Sequence, residues 1–184
     1  MGKPHTNLAL LGRSGAGKDT FVSFLKNHSA LGDRNPHVLR LAEPLYAGQE
    51  SIYKLCGIPL DPNTQDGTLL NFLGQHMRKI NPAVLKEVFA HKLSQSENSF
   101  VICPDARPVD IIFLKDLGFK IIHIDVSPEL AYTRRIDRKD YHPLPHDAPI
   151  EEGLDHVKAD WTFSNTGTLE AFHQSITPLL AEIL

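Results

Sequence analysis

Short apolar runs alternate along this chain with longer stretches in which apolar residues recur at helical spacing. Five runs read as strands: Asn7–Leu11, His37–Leu41, Ser99–Cys103, Lys120–Asp125 and Trp161–Ser164. Between them, Phe21, Phe24, Leu25 and His28 fall on one helical stripe, as do Val109, Ile112, Phe113 and Asp116, each with one polar member. The last segment is a better amphipathic helix, with Leu169, Phe172, Ile176, Leu179, Leu180 and Ile183 on one face and an interior Pro178 where a kink is expected. Strands alternating with helices imply a mostly parallel sheet covered on both faces.

From Pro44 to Gln95 no strand is convincing. Gly57-Ile58-Pro59 and Asp61-Pro62-Asn63 punctuate that stretch, which predicts helices over Pro44–Cys56, Gly67–Lys79 and Pro82–Gln95. An all-helical insertion between the second and third strands suggests a region that holds a substrate. The stretch Asp140–Pro149, with three prolines, His142 and His146, reads as an exposed loop after an arginine-rich helix.

Composition narrows the function classes. The chain has 184 residues, 41% hydrophobic, with 19 Lys and Arg against 22 Asp and Glu. That length predicts one domain spanning residues 1–184, and the ordinary apolar content rules out disorder as the dominant state. No apolar run reaches the roughly 20 residues of a membrane span. The slight acidity argues against a nucleic-acid partner, so a small molecule is expected. Cys56 and Cys103 are too few for a disulfide framework or a zinc site, and both read as buried free thiols in a reducing, cytoplasmic compartment. The segment Met1 to Thr6 lacks the apolar stretch of a signal peptide. It matches a loose acylation pattern, set aside because a core strand begins almost at once.

The strongest signal is Gly12-Arg13-Ser14-Gly15-Ala16-Gly17-Lys18-Asp19-Thr20, between the first strand and a helix. Its glycines allow positive φ and let amide N–H groups approach anionic oxygens, while the following helix adds the positive end of its dipole. Lys18 can then reach β- and γ-phosphates. Asp19 stands where Ser or Thr usually holds Mg²⁺. Either Thr20 supplies the hydroxyl through a shifted geometry, or Asp19 binds the metal directly or through water; otherwise Asp19 must face outward, because its charge would repel triphosphate.

Two further clusters fit phosphate chemistry. The strand ending Cys103-Pro104-Asp105-Ala106-Arg107 carries an acid and a base at the carboxyl end, where parallel sheets hold ligands. Asp105 could orient Mg²⁺, its water or the attacking phosphate, and Arg107 could bridge donor and acceptor phosphates; a plain Asp–Arg ion pair at a turn is the alternative. Further on, Arg134, Arg135 and Arg138 place three of the eight arginines within five residues. Arg134 and Arg138 share a helix face, with Arg135 about 100° around. Guanidinium groups suit phosphate oxygens and a transferring phosphoryl group, so this segment reads as a lid over about 134–152, against a merely solvated basic face.

The spacing Gly-x-x-Gly-x-Gly-Lys-x-Thr resembles that of adenylate kinase and other nucleoside monophosphate kinases, and the ending Gly17-Lys18-Asp19-Thr20 is more similar to deoxynucleoside monophosphate kinases of the phage type. Pro104-Asp105-Ala106-Arg107 resembles that family's Asp-x-Arg segment, Ile121 to Asp125 its following strand, and Asn165-Thr166-Gly167-Thr168-Leu169 its terminal turn near the donor adenine. Ala42-Glu43-Pro44-Leu45 is similar to its second strand end, with Tyr46 and Ala47 where a basic residue often follows, and Leu70 to Arg78 to its Leu-Gly helix ending in arginine. Dephospho-CoA kinase and phosphomevalonate kinase are more distant members of the same broad group.

The resemblance implies a P-loop NTPase three-layer α/β/α sandwich on a five-stranded parallel sheet, with an acceptor-binding helical region at about 44–95 and a small lid. It implies ATP and Mg²⁺ as cofactors and transfer of the γ-phosphoryl to a nucleoside monophosphate. Lys18, Asp105, Arg107, Arg134 and Arg138 would be catalytic. ATP would meet Gly12, Ser14, Gly15, Ala16, Gly17, Lys18, Asp19, Thr20 and Arg135. Asp19, Thr20 and Asp105 are the metal candidates. Glu43, Gln75, Arg78 and Arg107 would hold the acceptor. A P-loop kinase of another small phosphorylated acceptor and a non-catalytic nucleotide switch remain as alternatives; absence of an Asn-Lys-x-Asp signature disfavours a GTP switch.

Overall fold

The computed structural model describes residues 6–31, 36–61, 64–97, 100–143 and 153–183. Five strands, β1 (Leu8–Leu11), β2 (His37–Val38), β3 (Val101–Ala106), β4 (Lys120–Asp125) and β5 (Trp161–Ser164), form one parallel sheet in the order β2-β3-β1-β4-β5. Among the described residues, seven α-helices surround it: α1 (Lys18–Asn27), α2 (Glu43–Leu55), α3 (Gly67–Ile80), α4 (Val84–Ser94), α5 (Ile111–Asp116), α6 (Pro128–Asp137) and α7 (Leu169–Ile183).

Alternation along the strands assigns the two faces. Leu8, Leu10, Ile102, Ile122 and Ile124 point to one side, where Phe21 and Leu25 of α1 and Phe172, Ile176 and Leu179 of α7 cover them. Ala9, Leu11, Val101, Cys103 and Ile121 point to the other, against Phe89 of α4 and Ile111 and Leu114 of α5. With helices on both faces, β1 is buried at all four positions, which is why it reads as an unbroken apolar run. The three-layer α/β/α architecture and the five-stranded parallel sheet are those expected.

Four local expectations are corrected. β2 pairs over only two residues, although Leu39 N–H still donates to the Ile102 carbonyl at 3.0 Å. β3 runs past Cys103 to Ala106. Its register against β1 shifts between Ala9↔Cys103 and Leu11↔Ala106, so the bulge falls at Pro104 and Asp105, where proline has no N–H for the ladder. The stripe through Val109 and Ile112 faces solvent (63% and 78% exposed), because the 3₁₀ turn at Pro108–Asp110 rotates the short α5 so that Ile111 and Leu114 go inward. Cys56, at the end of α2, is exposed; only Cys103 is a buried thiol.

The three middle helices appear where punctuation placed them, within a few residues at each end. Asp66 caps α3, accepting from Leu69 N–H at 2.8 Å, and Thr168 caps α7 through Ala171 N–H at 3.2 Å. α7 continues through Pro178. None of the described helices is long and apolar enough to cross a membrane. The leader and acylation readings on Met1 to His5, the strand start at Ser99, Pro62-Asn63 and the lid residues 144–152, with His146, lie outside the described residues.

Candidate active site

The turn after β1 is built around glycines that nothing else could replace. Gly15 has φ +90°, and a Cβ there would lie 2.3 Å from the Ala131 carbonyl oxygen of α6; Gly17 has φ +98°, and its Cβ would meet Asn165 Nδ2 at 2.4 Å. Asn165, buried at the end of β5, donates from Nδ2 to the Ala16 carbonyl at 2.8 Å, and its own carbonyl accepts from Arg134 Nη2 at 2.9 Å. The loop is thus pinned from behind by α6 and by Asn165. Lys18 Nζ donates to the Gly12 and Arg13 carbonyls at 2.6 and 2.8 Å, which folds its ammonium back over the turn.

One cavity opens over this loop. Ser14, Gly15, Gly17, Lys18, Asp19 and Thr20 form its floor, and Arg40, Arg107, Arg134 and Arg138 converge from the ends of three other elements. Five cations around a glycine-built turn suit a polyphosphate. Arg138 is held by Asp140 through two N–H groups, one at 2.7 Å from Nε, with the second contact from Nη2 to Oδ2. Arg134 and Arg138 therefore do face the same cavity, as their spacing implied. Arg135 does not line it: it is 1% exposed, with its guanidinium 5.5 Å from the Tyr132 ring.

A second cavity adjoins the first. Arg78, Asn71, Gly74, Leu70, Leu85 and Asp110 line it, and Ser14, Tyr46, Gln65, Asp105 and Arg107 belong to both. Asp105, at the bulge, accepts from Leu41 N–H and Ala42 N–H, each at 2.9 Å, and from the Cys103 thiol at 3.4 Å. It fastens the entry of α2 to the end of β3 at the junction of the cavities. Burial, with Asp105 alongside, pushes the Cys103 thiol well up, and burial with the same neighbour pushes the Tyr46 hydroxyl up to about 12.

Not every acceptor-side expectation is met. Glu43 pairs with Lys92 at 2.5 Å on the flank of the sheet, and Gln75 is exposed and bonded to Asn71 at 3.3 Å; neither lines the two joined cavities. Asp19 is 60% exposed at its side chain and pairs with Arg40 at 2.9 Å, so its carboxylate is neutralised by a neighbour, while Thr20 lines the floor. No described cluster of three or more His, Cys, Asp or Glu could hold a metal unaided.

Three residues of the site were not singled out from the sequence. Arg40 sits just before the segment resembling the family's strand end, and its guanidinium lies 5.9 Å over the Tyr46 ring, beside the position where a basic residue was missed. Asn165 was visible only as part of a turn, and Asp110 as a third residue after Arg107.

Comparisons place the fold. No protein-family model matches the sequence, and no curated protein matches it. Solved structures do match. A sugar kinase from Janibacter sp. aligns with a TM-score of 0.58 at 14% identity, over 98% of this chain and 96% of that one. A gluconokinase from Sinorhizobium meliloti gives 0.53 at 15%, over 97% and 93%. A shikimate kinase from Acinetobacter baumannii in complex with shikimate gives 0.53 at 16%, over 97% and 94%. At these identities the likeness is one of fold: an α/β architecture shared along nearly the whole chain.

Proposed function

We propose that this chain is an ATP-dependent phosphotransferase whose acceptor is the 5′-phosphate of a nucleoside or deoxynucleoside monophosphate. The observation that carries the reading is the pair of cavities meeting at Arg107. One is walled by the glycine turn, Lys18 and arginines; the other by leucines, polar side chains and Arg78. A donor triphosphate in the first and a phosphate-bearing acceptor in the second would bring the two reacting groups to a shared guanidinium.

The turn amides and Lys18 bind the donor phosphates, and Arg134 and Arg138 supply charge around the transferring group. Arg107 holds both partners in register, and Arg78 anchors the acceptor anion. An acceptor phosphate is already a nucleophile, so the chain needs no strong general base; positioning and charge neutralisation carry the rate. The site fits magnesium arriving with the nucleotide: Thr20 and Asp105 line the floor and junction and would hold it, with Asp19 beside them. Magnesium when bound neutralises charge on the phosphates. Closure by residues 134–143 would exclude water.

A second reading has a specific support. The similar solved structures include kinases named for gluconate, a sugar and shikimate, and two arginines would also hold a carboxylate-bearing acceptor that is phosphorylated on a hydroxyl. A panel of nucleoside monophosphates, small phosphorylated coenzyme precursors and sugar acids, assayed for acceptor-dependent ADP formation, separates the readings. The proposal expects turnover with at least one nucleoside monophosphate. Turnover confined to hydroxyl acceptors would replace it with the second reading, and tight ATP binding without turnover would favour a nucleotide switch.

A further inference from the structure

Asp110 lies in the 3₁₀ turn Pro108–Asp110, three residues beyond Arg107, and is 1% exposed. Its backbone N–H is satisfied by the Arg107 carbonyl at 2.9 Å. Its side chain is not equally provided for. Oδ2 stands 3.9 Å from Arg78 Nη2, an ion pair too long for a hydrogen bond, and Oδ1 is fully buried with no hydrogen-bond partner among the described residues. Leaving a buried acceptor atom unpaired is costly, more so when it is charged, so such atoms are rare unless something else supplies the donor.

The carboxylate lines the acceptor cavity. The leucine side chains that line the same cavity, Leu45, Leu70 and Leu85, offer it no donor, and the cations that act on it are Arg78 and Lys86. Burial pushes the Asp110 carboxyl up, opposed by Arg78, Lys86 and the Arg107 backbone N–H and reinforced by Asp105, so the loss of solvation outweighs the partners the carboxyl keeps. An anionic part of the acceptor would be repelled by it and belongs at Arg78 and Arg107 instead.

We infer that Asp110 is a specificity-determining residue that accepts a hydrogen bond from an O–H or N–H on the uncharged part of the acceptor. The acceptor would therefore carry two features: an anion for the arginines and a donor for Asp110. In a nucleoside monophosphate that donor is a sugar hydroxyl or an amino or imino group of the base. The inference rests on the reading above only in taking this cavity as the acceptor's.

The test compares wild type with Asp110→Asn, which keeps the shape of the side chain. Matched acceptors differ by one donor: 2′- or 3′-hydroxyl against deoxy, and amino-bearing bases against bases lacking the amine. One pair should differ at least about tenfold in kcat/KM with wild type, and that ratio should shrink to about twofold in Asp110→Asn with the KM for ATP unchanged. Identical ratios in both proteins overturn the inference. A ligand-free melting temperature for Asp110→Asn equal to or above wild type is expected; a fall of more than about 5 °C would mark Asp110 as a structural ion-pair partner and also overturn it. If wild type transfers to no nucleoside monophosphate, the acceptor reading fails by itself. Asp110 is then judged by thermal stabilisation with sugar acids, polyols and their deoxy counterparts, and equal stabilisation of both proteins by every compound defeats it.

Discussion

On the donor side of Arg107 the wall is backbone: a glycine turn pressed against the Ala131 carbonyl and against Asn165, with charged side chains arriving from α1, α6 and the ends of β2 and β3. On the acceptor side the wall is side chain, four leucines with Arg78, Asn71 and Asp110, carried mainly by α2 and α3. Backbone in a left-handed conformation tolerates almost no substitution, whereas helix-borne side chains can be exchanged without disturbing the sheet. The first region suits a ligand part that never varies, a polyphosphate; the second can be tuned to one acceptor among many. Substitutions on the donor side should abolish chemistry, and those on the acceptor side should redirect it.

The sharpest break of that contrast is Lys18→Ala. With the lysine that lines the loop cavity gone, kcat should fall by at least about 10³-fold for every acceptor alike. Near-normal steady-state turnover would remove the donor assignment. Arg107→Ala comes next, and because Arg107 belongs to both cavities it should lower kcat by about 10²-fold and raise the KM of both substrates. A change confined to one KM would show that the cavities do not work together. Arg78→Ala should raise the acceptor KM by about tenfold to a hundredfold and leave the KM for ATP within about twofold, read from the same initial-rate matrix.

Asn165→Ala sharpens the donor side from behind. It removes the bond to the Ala16 carbonyl, so about 1–2 kcal/mol of stability should be lost in urea denaturation, with a rise in the KM for ATP and little change in the KM for the acceptor. The smallest effect concerns His123, half-buried on β4, whose pKa burial lowers from 6.5. Between the lowered folded value and 6.5 the unfolded chain binds more protons. Stability should therefore decline as pH falls below 6.5 and be fully present above it, and His123→Gln should flatten that slope in denaturation curves taken from pH 5 to 8.

The donor side was legible because its parts are contiguous: nine residues from Gly12 to Thr20 carry the turn, the lysine and the helix start, and a strand buried on both faces announces itself as Leu8 to Leu11. Helices α2 to α4 were equally legible from Gly, Pro and Asp punctuation. What resisted reading is assembled from separate elements. Arg40 reaches the floor only because β2 lies two strands from β1 in the sheet, beside β3. Asp105 aims at the junction because Pro104 forces a bulge, and Asp110 is turned inward by one 3₁₀ turn that also reverses the expected exposure of Val109 and Ile112. Glu43 and Gln75 were singled out through a resemblance of short segments, which does not say what a helix face meets; Glu43 pairs with Lys92 and Gln75 with Asn71.

The central claim, phosphoryl transfer between two cavities that meet at Arg107, is tested most directly by following the phosphoryl group itself. Wild-type protein is incubated with ATP labelled with oxygen-18 in the γ-phosphoryl and a mixture of nucleoside and deoxynucleoside monophosphates, and the products are weighed by mass spectrometry. The account predicts a nucleoside diphosphate carrying the label in its terminal phosphoryl, absent with Lys18→Ala. Label appearing only in inorganic phosphate, or remaining in ATP, would contradict it.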